Sequence, residues 1–197
     1  MKRLVMGAVF ALIAGMGQAA PVQWTEASGG NGHYYELVSG DFTWDEANTA
    51  AQGSVFNGMQ GYLATATSAL ENTFIFNLLN VTTPIAWLGG SDADSEGLWT
   101  WVDGPDKGTA FTFLGFPTGA FQNWAPNEPN DAGGNEDYLH IGFFGDQWND
   151  IPGTLDYAYV VEYSADFLAP AAVPLPAGVV LLGSGLGIMA LRRRRRV

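Results

Sequence analysis

The sequence predicts an α+β domain in which two helices flank small antiparallel sheets, with a long oxygen-rich loop region ahead of the closing strands. Three observations carry this. Thr43 to Glu46 and Ser68 to Glu71 each have the Ser/Thr-x-x-Glu pattern that opens a helix, and each precedes apolar residues at helical spacing. Short alternating runs, His33 to Val38 and Trp99 to Val102 among them, read as strands. The stretch WAPNEPNDAGGNEDYLHIGFFGDQWND, Trp124 to Asp150, places Glu128, Asn130, Asp131, Glu136 and Asp137 within ten positions and contains no Lys or Arg.

At 197 residues the chain has room for one domain of ordinary size and processing segments. Met1 to Ala19 reads as a secretory signal: Lys2 and Arg3, then the apolar run Leu4 to Ala14, then the small-x-small cleavage site Gly17-Gln18-Ala19. A short membrane anchor is the alternative, although the run is brief for a span. Seven of the eight basic residues are terminal (Lys2, Arg3 and Arg192 to Arg196), which leaves Lys107 against 20 acidic residues, a net of about −19 for the middle. Nucleic acid is excluded as a partner, because phosphate binding needs Lys and Arg. The absence of cysteine excludes thiol catalysis, Cys-ligated zinc and disulfides. Such an exported domain must rest on its core, for which 7 Trp, 12 Phe and 7 Tyr provide material, and on bound metal.

Residues 20–31 read as a loose N-terminal linker. His33 to Val38 is the first strand. Thr43 caps a helix through about Gln52, with Trp44, Ala47 and Ala51 on one face. Tyr62 to Ala66 is a buried strand or turn. Ser68 caps the second helix, Glu71 fits its box, and Ile75, Leu78 and Leu79 form its apolar stripe. Ile85 to Gly90 is a core strand, Trp99 to Val102 an alternating strand, and Leu139 to Phe143 and Tyr157 to Tyr163 the closing strands. His33 and His140 lack partners at metal or triad spacing and read as half-buried strand residues. Trp124 and Trp148 read as core residues beneath the loop.

Carboxylates as crowded as those after Trp124 repel one another unless a cation sits among them. A hard ion that takes six to eight oxygens, Ca²⁺, suits them. Pro129 sets the turn that aims Glu128 and Asn130 the same way, most tightly with a cis peptide bond. EPN (Glu128-Pro129-Asn130), NED (Asn135-Glu136-Asp137) and WND (Trp148-Asn149-Asp150), in this order and spacing, resemble the carbohydrate-recognition loop of a C-type lectin domain. TWDEA at 43–47, GYLATATS at 61–68, Glu71-Asn72 and the Trp87-Leu88-Gly89 core strand extend the resemblance over residues 32–164, with Gly90 departing from the family pattern.

The resemblance implies a C-type lectin-like fold. It implies a sugar-binding Ca²⁺ site at Glu128, Asn130, Glu136, Asn149 and Asp150, and an auxiliary Ca²⁺ site at Asp92, Glu96, Asp131, Glu136 and Asp137. An acidic but empty loop is the bland alternative for the second. Each Asn oxygen would coordinate while its NH₂ donates outward, so that two vicinal sugar hydroxyls complete the ion's shell. EPN, as opposed to QPD, implies the mannose, glucose, N-acetylglucosamine and fucose class. Ala51 with Val161, and Tyr138 with Gly153, stand where the family usually places disulfides, each worth about 2–4 kcal/mol.

A glycosidase needs one carboxylic acid kept protonated near neutral pH, whereas a cluster gripping Ca²⁺ favours the ionised form of every member. The chain is therefore read as a non-enzyme. The rival reading is a calcium-stabilised matrix or adhesion protein with a protein partner. Asn130 and Asn149 favour sugar over that rival.

Residues 165–172 read as an Ala/Pro linker. VPLPA at 173–177 opens the last segment, 173–197, in which Ala177 to Leu191 are apolar or small and five arginines follow. Fifteen helical residues reach about 22 Å, short of the roughly 30 Å hydrocarbon core, and the arginines would stay on the cytoplasmic side. This tail resembles the PEP-CTERM sorting signal in its VPLPA variant. That implies removal by an exosortase after transient membrane contact, in a Gram-negative bacterium making extracellular polysaccharide. The product would rest in the cell envelope or outside the cell. A plain C-terminal anchor is the alternative.

Overall fold

The computed structural model describes residues 20–168. The expected signal segment 1–19 and sorting segment 173–197 lie outside them. Within them, no helix is long and apolar enough to cross a membrane.

The strands are β1 (Val22–Gln23), β2 (Tyr34–Phe42), β3 (Val55–Phe56), β4 (Met59–Leu63), β5 (Ala86–Ser91), β6 (Leu98–Trp101), β7 (Ala110–Phe113), β8 (Phe116–Pro117), β9 (Tyr138–Gly142), β10 (Gly145–Ile151) and β11 (Tyr157–Leu168). The helices are α1 (Trp44–Gly53) and α2 (Ala69–Phe76). The main path of the sheet runs β1-β2-β11-β5-β6-β7-β8, with β4 also on β11 and β9 joining β5 to β10. Every pairing is antiparallel except β11 with β5. The fold is C-type lectin-like, as the resemblance implies. The small sheets expected from the sequence are joined through β5 and β11.

Those two strands separate two cores. Ala86, Leu88, Ala158 and Val160 point to one, with Trp99, Trp101, Phe111, Leu139, Ile141 and Trp148. The alternate residues Trp87, Tyr159, Val161 and Tyr163 point to the other, with Trp44, Ala47 and Ala51 of α1. Period-two side-chain alternation in a strand buried on both faces produces this. Gly90 departs from the family pattern for a visible reason: a Cβ there would come within 2.9 Å of Leu139 Cδ1 and 3.0 Å of Phe111 Cζ. Ala51 and Val161 share the second core, and the Tyr138 ring covers Gly153 so closely that a Cβ there would meet it at 2.5 Å. Packing thus occupies both positions where the family usually places disulfides.

The α1 box closes as expected, with Thr43 N donating to Glu46 Oε2 at 3.0 Å and Glu46 N to the Thr43 hydroxyl. The second box does not. Ser68 Oγ accepts from Glu71 N, but the Glu71 carboxylate takes Thr67 N at 2.7 Å and the Tyr35 hydroxyl at 2.6 Å. Burial explains the difference, because Glu71 is enclosed and needs several donors rather than one reciprocal cap. Leu78 and Leu79 lie past the end of α2 yet still pack on the first core.

Three other expectations need correction. The stretch 20–31 is not loose: Trp24 is buried and stacks on Phe74 at 5.6 Å, which anchors β1 and a 3-10 turn at Glu26–Ser28. Ala165 to Leu168 continue β11 rather than opening a linker, and Leu168 pairs with Met59. His33 precedes β2, with Nδ1 2.6 Å from Glu162 Oε1. Burial lowers its pKa, but Glu162, Glu71 and Asp166 outweigh this and raise it.

Candidate functional site

Asp150 organises the loops. It lies on β10, 1 % exposed, and its Oδ2 accepts from Asn130 N at 2.9 Å and Asp131 N at 2.8 Å. A strand residue thus clamps the turn that carries the EPN triplet. Within that turn the Glu128-Pro129 bond is cis, Asn127 and Asp131 have positive φ, and Asn130 Nδ2 donates to Glu128 Oε2. Asp131 holds the next turn by accepting from Glu136 N at 3.1 Å, and Glu136 Oε2 accepts from Ala132 N at 2.8 Å. The sequence placed Asn149 and Asp150 at the end of a loop. They belong instead to a strand paired with β9.

Asp92 starts the other wall where β5 ends. It is 3 % exposed, its Oδ2 accepts from Gly97 N at 2.9 Å, and its backbone N reaches Asp137 O at 3.3 Å. A concavity of about 260 Å³ gathers Asp92, Glu96, Asn130, Asp131 and Asp150, with Leu114 of the β7–β8 turn at its rim. Asp137 lines a neighbouring concavity of about 350 Å³ with Thr43, Asp45 and Asn135. Glu128 and Glu136 connect to the first concavity through the hydrogen bonds to Asn130 and Asp131. Asn149 sits beside Asp150, its amide donating to His140 and to the Asp150 carbonyl.

Electrostatics strain this arrangement. Burial, with Glu96 and Asp137 nearby, pushes the Asp92 carboxyl up to about 7. Partial burial and the adjacent Asp150 push Glu128 up to about 7. Glu96 is raised by desolvation and by Asp131 and Asp137, and Glu136 by desolvation and by Asp150 and Asp131. Two carboxylate oxygens, Asp92 Oδ1 and Asp150 Oδ1, are buried without a hydrogen-bond donor, and Asp150 lies within carboxyl–carboxyl hydrogen-bonding reach of Glu128, a contact that needs a shared proton or a cation. Orphaned buried oxygens in a polar concavity suit a hard cation, so the residues fit Ca²⁺.

The loop carboxylates do not already converge on one point. Among the described residues, the ligand atoms of His, Asp and Glu that lie mutually within 4.8 Å belong to His33, Glu71 and Glu162. All four carboxylate oxygens of Glu71 and Glu162, both buried, accept protein donors, from Asn31, Tyr35, Thr67, Thr65 and the half-buried His33. It is a closed hydrogen-bond network tying β2, α2 and β11 together. The sequence signal for it was Glu162, an acidic residue inside an apolar strand run.

Trp148 is fully buried and donates Nε1 to Asn72 Oδ1 at 2.6 Å, while Trp124 is partly buried and donates to Thr112 Oγ1 at 2.8 Å. The two rings meet edge-on at 5.7 Å, so both support the loop from below.

The model for the lectin C-type domain family matches residues 40–162. Halomucin of Haloquadratum walsbyi is 40 % identical over 154 residues, which take in 72 % of this chain and 2 % of that protein. The hepatic lectin of Gallus gallus is 31 % identical over 140 residues, 71 % of this chain and 58 % of that lectin. The chain thus spans under two thirds of these relatives. Among solved structures, the C-type lectin CEL-I of Cucumaria echinata superposes with a TM-score of 0.57 at 22 % identity, covering 68 % of this chain and 92 % of that one. The carbohydrate-recognition domain of cow CD23 gives a TM-score of 0.54 at 25 % identity, covering 72 % and 92 %. A calcium-independent type II antifreeze protein shares the fold, with a TM-score of 0.52 at 23 % identity, covering 74 % and 95 %.

Proposed function

This chain belongs to the C-type lectin domain family, and on that premise we propose that it is an exported calcium-dependent carbohydrate-binding protein of the mannose, glucose and N-acetylglucosamine type. The observation that carries the calcium requirement is the pair of buried oxygens without a donor on Asp92 and Asp150, set among carboxyls that resist ionising alone. Glu128, Asn130, Glu136, Asn149 and Asp150 would hold one ion, and Asp92, Glu96, Asp131, Glu136 and Asp137 a second. The bound ion would supply open coordination positions for two sugar hydroxyls. The chain's own part is to hold the EPN turn: Asp150 grips Asn130 N and Asp131 N, while Glu128 and Asn130 sit side by side. Their carboxylate and amide then offer one acceptor and one donor to a hydroxyl pair.

The EPN triplet supports the mannose-type class, and the cow CD23 domain was solved in the presence of a GlcNAc2Man3 oligosaccharide. The partner is a glycan or exopolysaccharide at the cell surface or in the extracellular matrix. Removal of the tail by an exosortase, with transient membrane contact, rests on the VPLPA segment and arginine block alone. The family is one of lectins, and no catalytic role is proposed. A glycan array run with and without chelator tests the reading. Chelator-sensitive signal on mannose-type glycans is expected. Strong calcium binding with an empty array would shift the function to protein adhesion.

A further inference from the structure

Strands β6, β7 and β8 finish the main path of the sheet, and β8 ends it. Their registers pair Leu98 with Phe113 and Phe113 with Phe116, so three apolar side chains line up across the strands on one face. Trp99 and Thr112, the alternate residues, point the other way and are buried. The outward row is open, with Phe113 50 % and Phe116 73 % exposed. From Thr109 to Ala125 the sequence has no charged residue, in a chain that carries 20 acidic ones.

Leu114 and Gly115 make the turn between β7 and β8, with φ of 49° and 78°. Asn-Gly takes such a turn easily, whereas a leucine there is strained. The turn is held from outside. Leu114 N donates to Gly97 O at 2.7 Å, and the leucine side chain covers Gly97 so closely that a Cβ there would lie 2.8 Å from Leu114 Cδ2. Gly97 N is in turn the donor to Asp92 Oδ2. Leu114 and Gly115 therefore line the same concavity as Asp92, Asn130 and Asp150, while Leu114 stays 61 % exposed. A strained, exposed leucine at the rim of a site points to a use for its side chain. Leu114 joins the apolar row, through its neighbour Phe113, to the oxygen-lined concavity.

We propose that Leu98, Phe113, Leu114 and Phe116 form a second sugar subsite, which takes the apolar face of the next sugar along a glycan whose first sugar occupies the calcium site. This subsite rests on the calcium and sugar reading above and extends it from a single sugar to a chain. The faces of sugar rings carry C–H groups, which pack on aromatic and aliphatic side chains as other apolar surface does. A row without charge suits a neutral glycan, whereas a polyanion is repelled by the acidic domain around it. Because the first sugar already holds the chain, the second contact forms at high effective concentration and needs little area. Burying about 55 Å² of apolar surface on the row is worth about tenfold in affinity.

Calorimetric titration at saturating Ca²⁺ tests this, with the methyl glycosides of mannose, glucose and N-acetylglucosamine and their linear trisaccharides as probes. The wild type should bind the trisaccharide of its preferred sugar about tenfold tighter than the methyl glycoside. Phe116→Ser should lose that advantage and keep its affinity for Ca²⁺ and for the methyl glycoside. Leu114→Asn, which suits the positive φ, should hold its melting temperature and yet bind the trisaccharide more weakly. Equal wild-type affinity for the short and long sugars, or a full chain advantage in both variants, would overturn the proposal. If Phe116→Ser does not fold, Leu114→Asn decides. Should none of the probes bind while Ca²⁺ does, the sugar reading itself falls and the second subsite with it. Self-association abolished by Phe116→Ser, or variant-sensitive binding to phosphatidylcholine vesicles, with no chain-length effect, would give the row a different occupant and overturn the proposal.

Discussion

Replacing Asp150 separates its two jobs, because its two oxygens have different partners. Oδ2 holds Asn130 N at 2.9 Å and Asp131 N at 2.8 Å, and Oδ1 has no donor. Asp150→Asn can keep an oxygen on the two N–H groups and place its NH₂ where Oδ1 was. Each retained bond loses charge assistance, about 1 kcal/mol. Removing a negative charge beside Glu128, which Asp150 pushes upward, offsets part of that. The calcium-free variant should therefore unfold within about 1 kcal/mol of wild type. The calcium response should differ sharply. Wild type should gain about 2.7 kcal/mol at Ca²⁺ one hundredfold above its dissociation constant, and Asp150→Asn, with a donor facing the ion, should gain little or nothing. Asp150→Ala removes both roles and should cost about 2 kcal/mol even without calcium, since two backbone N–H groups lose their acceptor. Urea unfolding of the three proteins, with chelator and with Ca²⁺ against matched monovalent salt, measures all of these. If Asp150→Asn keeps the full calcium-dependent gain, the orphaned oxygen is not a ligand and the central argument for metal at this site fails.

Specificity is open to a charge-neutral exchange. Glu128→Gln with Asn130→Asp reverses amide and carboxylate, so mannose-type binding should weaken and galactose-type binding strengthen while Ca²⁺ affinity largely survives; unchanged mannose-type titration with metal bound would place the sugar elsewhere. Acid should stabilise the calcium-free protein. The raised carboxyls of Asp92 and Glu128 contribute stability that is fully present below about 4 and is lost as pH rises through about 7. The melting temperature in chelator should accordingly fall from pH 5 to pH 8, and Asp92→Asn should flatten the slope; a flat wild-type profile would refute the strain. His33, raised overall despite its burial, acts in the same direction, whereas His140, pushed down to about 4 by burial, costs stability as pH falls below about 6.5 and offsets part of the slope. Finally, intact-mass analysis in a host with the sorting enzyme should find a mature form starting near Ala20 and lacking Arg192 to Arg196, and arginine-bearing protein at steady state would count against sorting.

Much of this molecule is legible one segment at a time. Helix starts at Thr43 and Ser68 depend on side chains three residues apart, and strand β11 on its own alternation, so local pattern suffices for both. The EPN, NED and WND triplets likewise carry their ligand chemistry in residue type and spacing. What spacing cannot reveal is which groups meet across the fold. Glu71 looked like a capping residue and became part of a buried network, because β2 and β11 bring Tyr35 and Glu162 to it. His33 acquired a partner 129 positions away. His140 looked like an ordinary strand residue until the β9–β10 register set it against Asn149. The sequence by itself determined the fold class and the stock of calcium-ligand oxygens, since those follow from local periodicity and composition. Only the tertiary structure decided which oxygens are buried without a donor, because register and packing between distant strands control the desolvation and hydrogen-bond partners of each group.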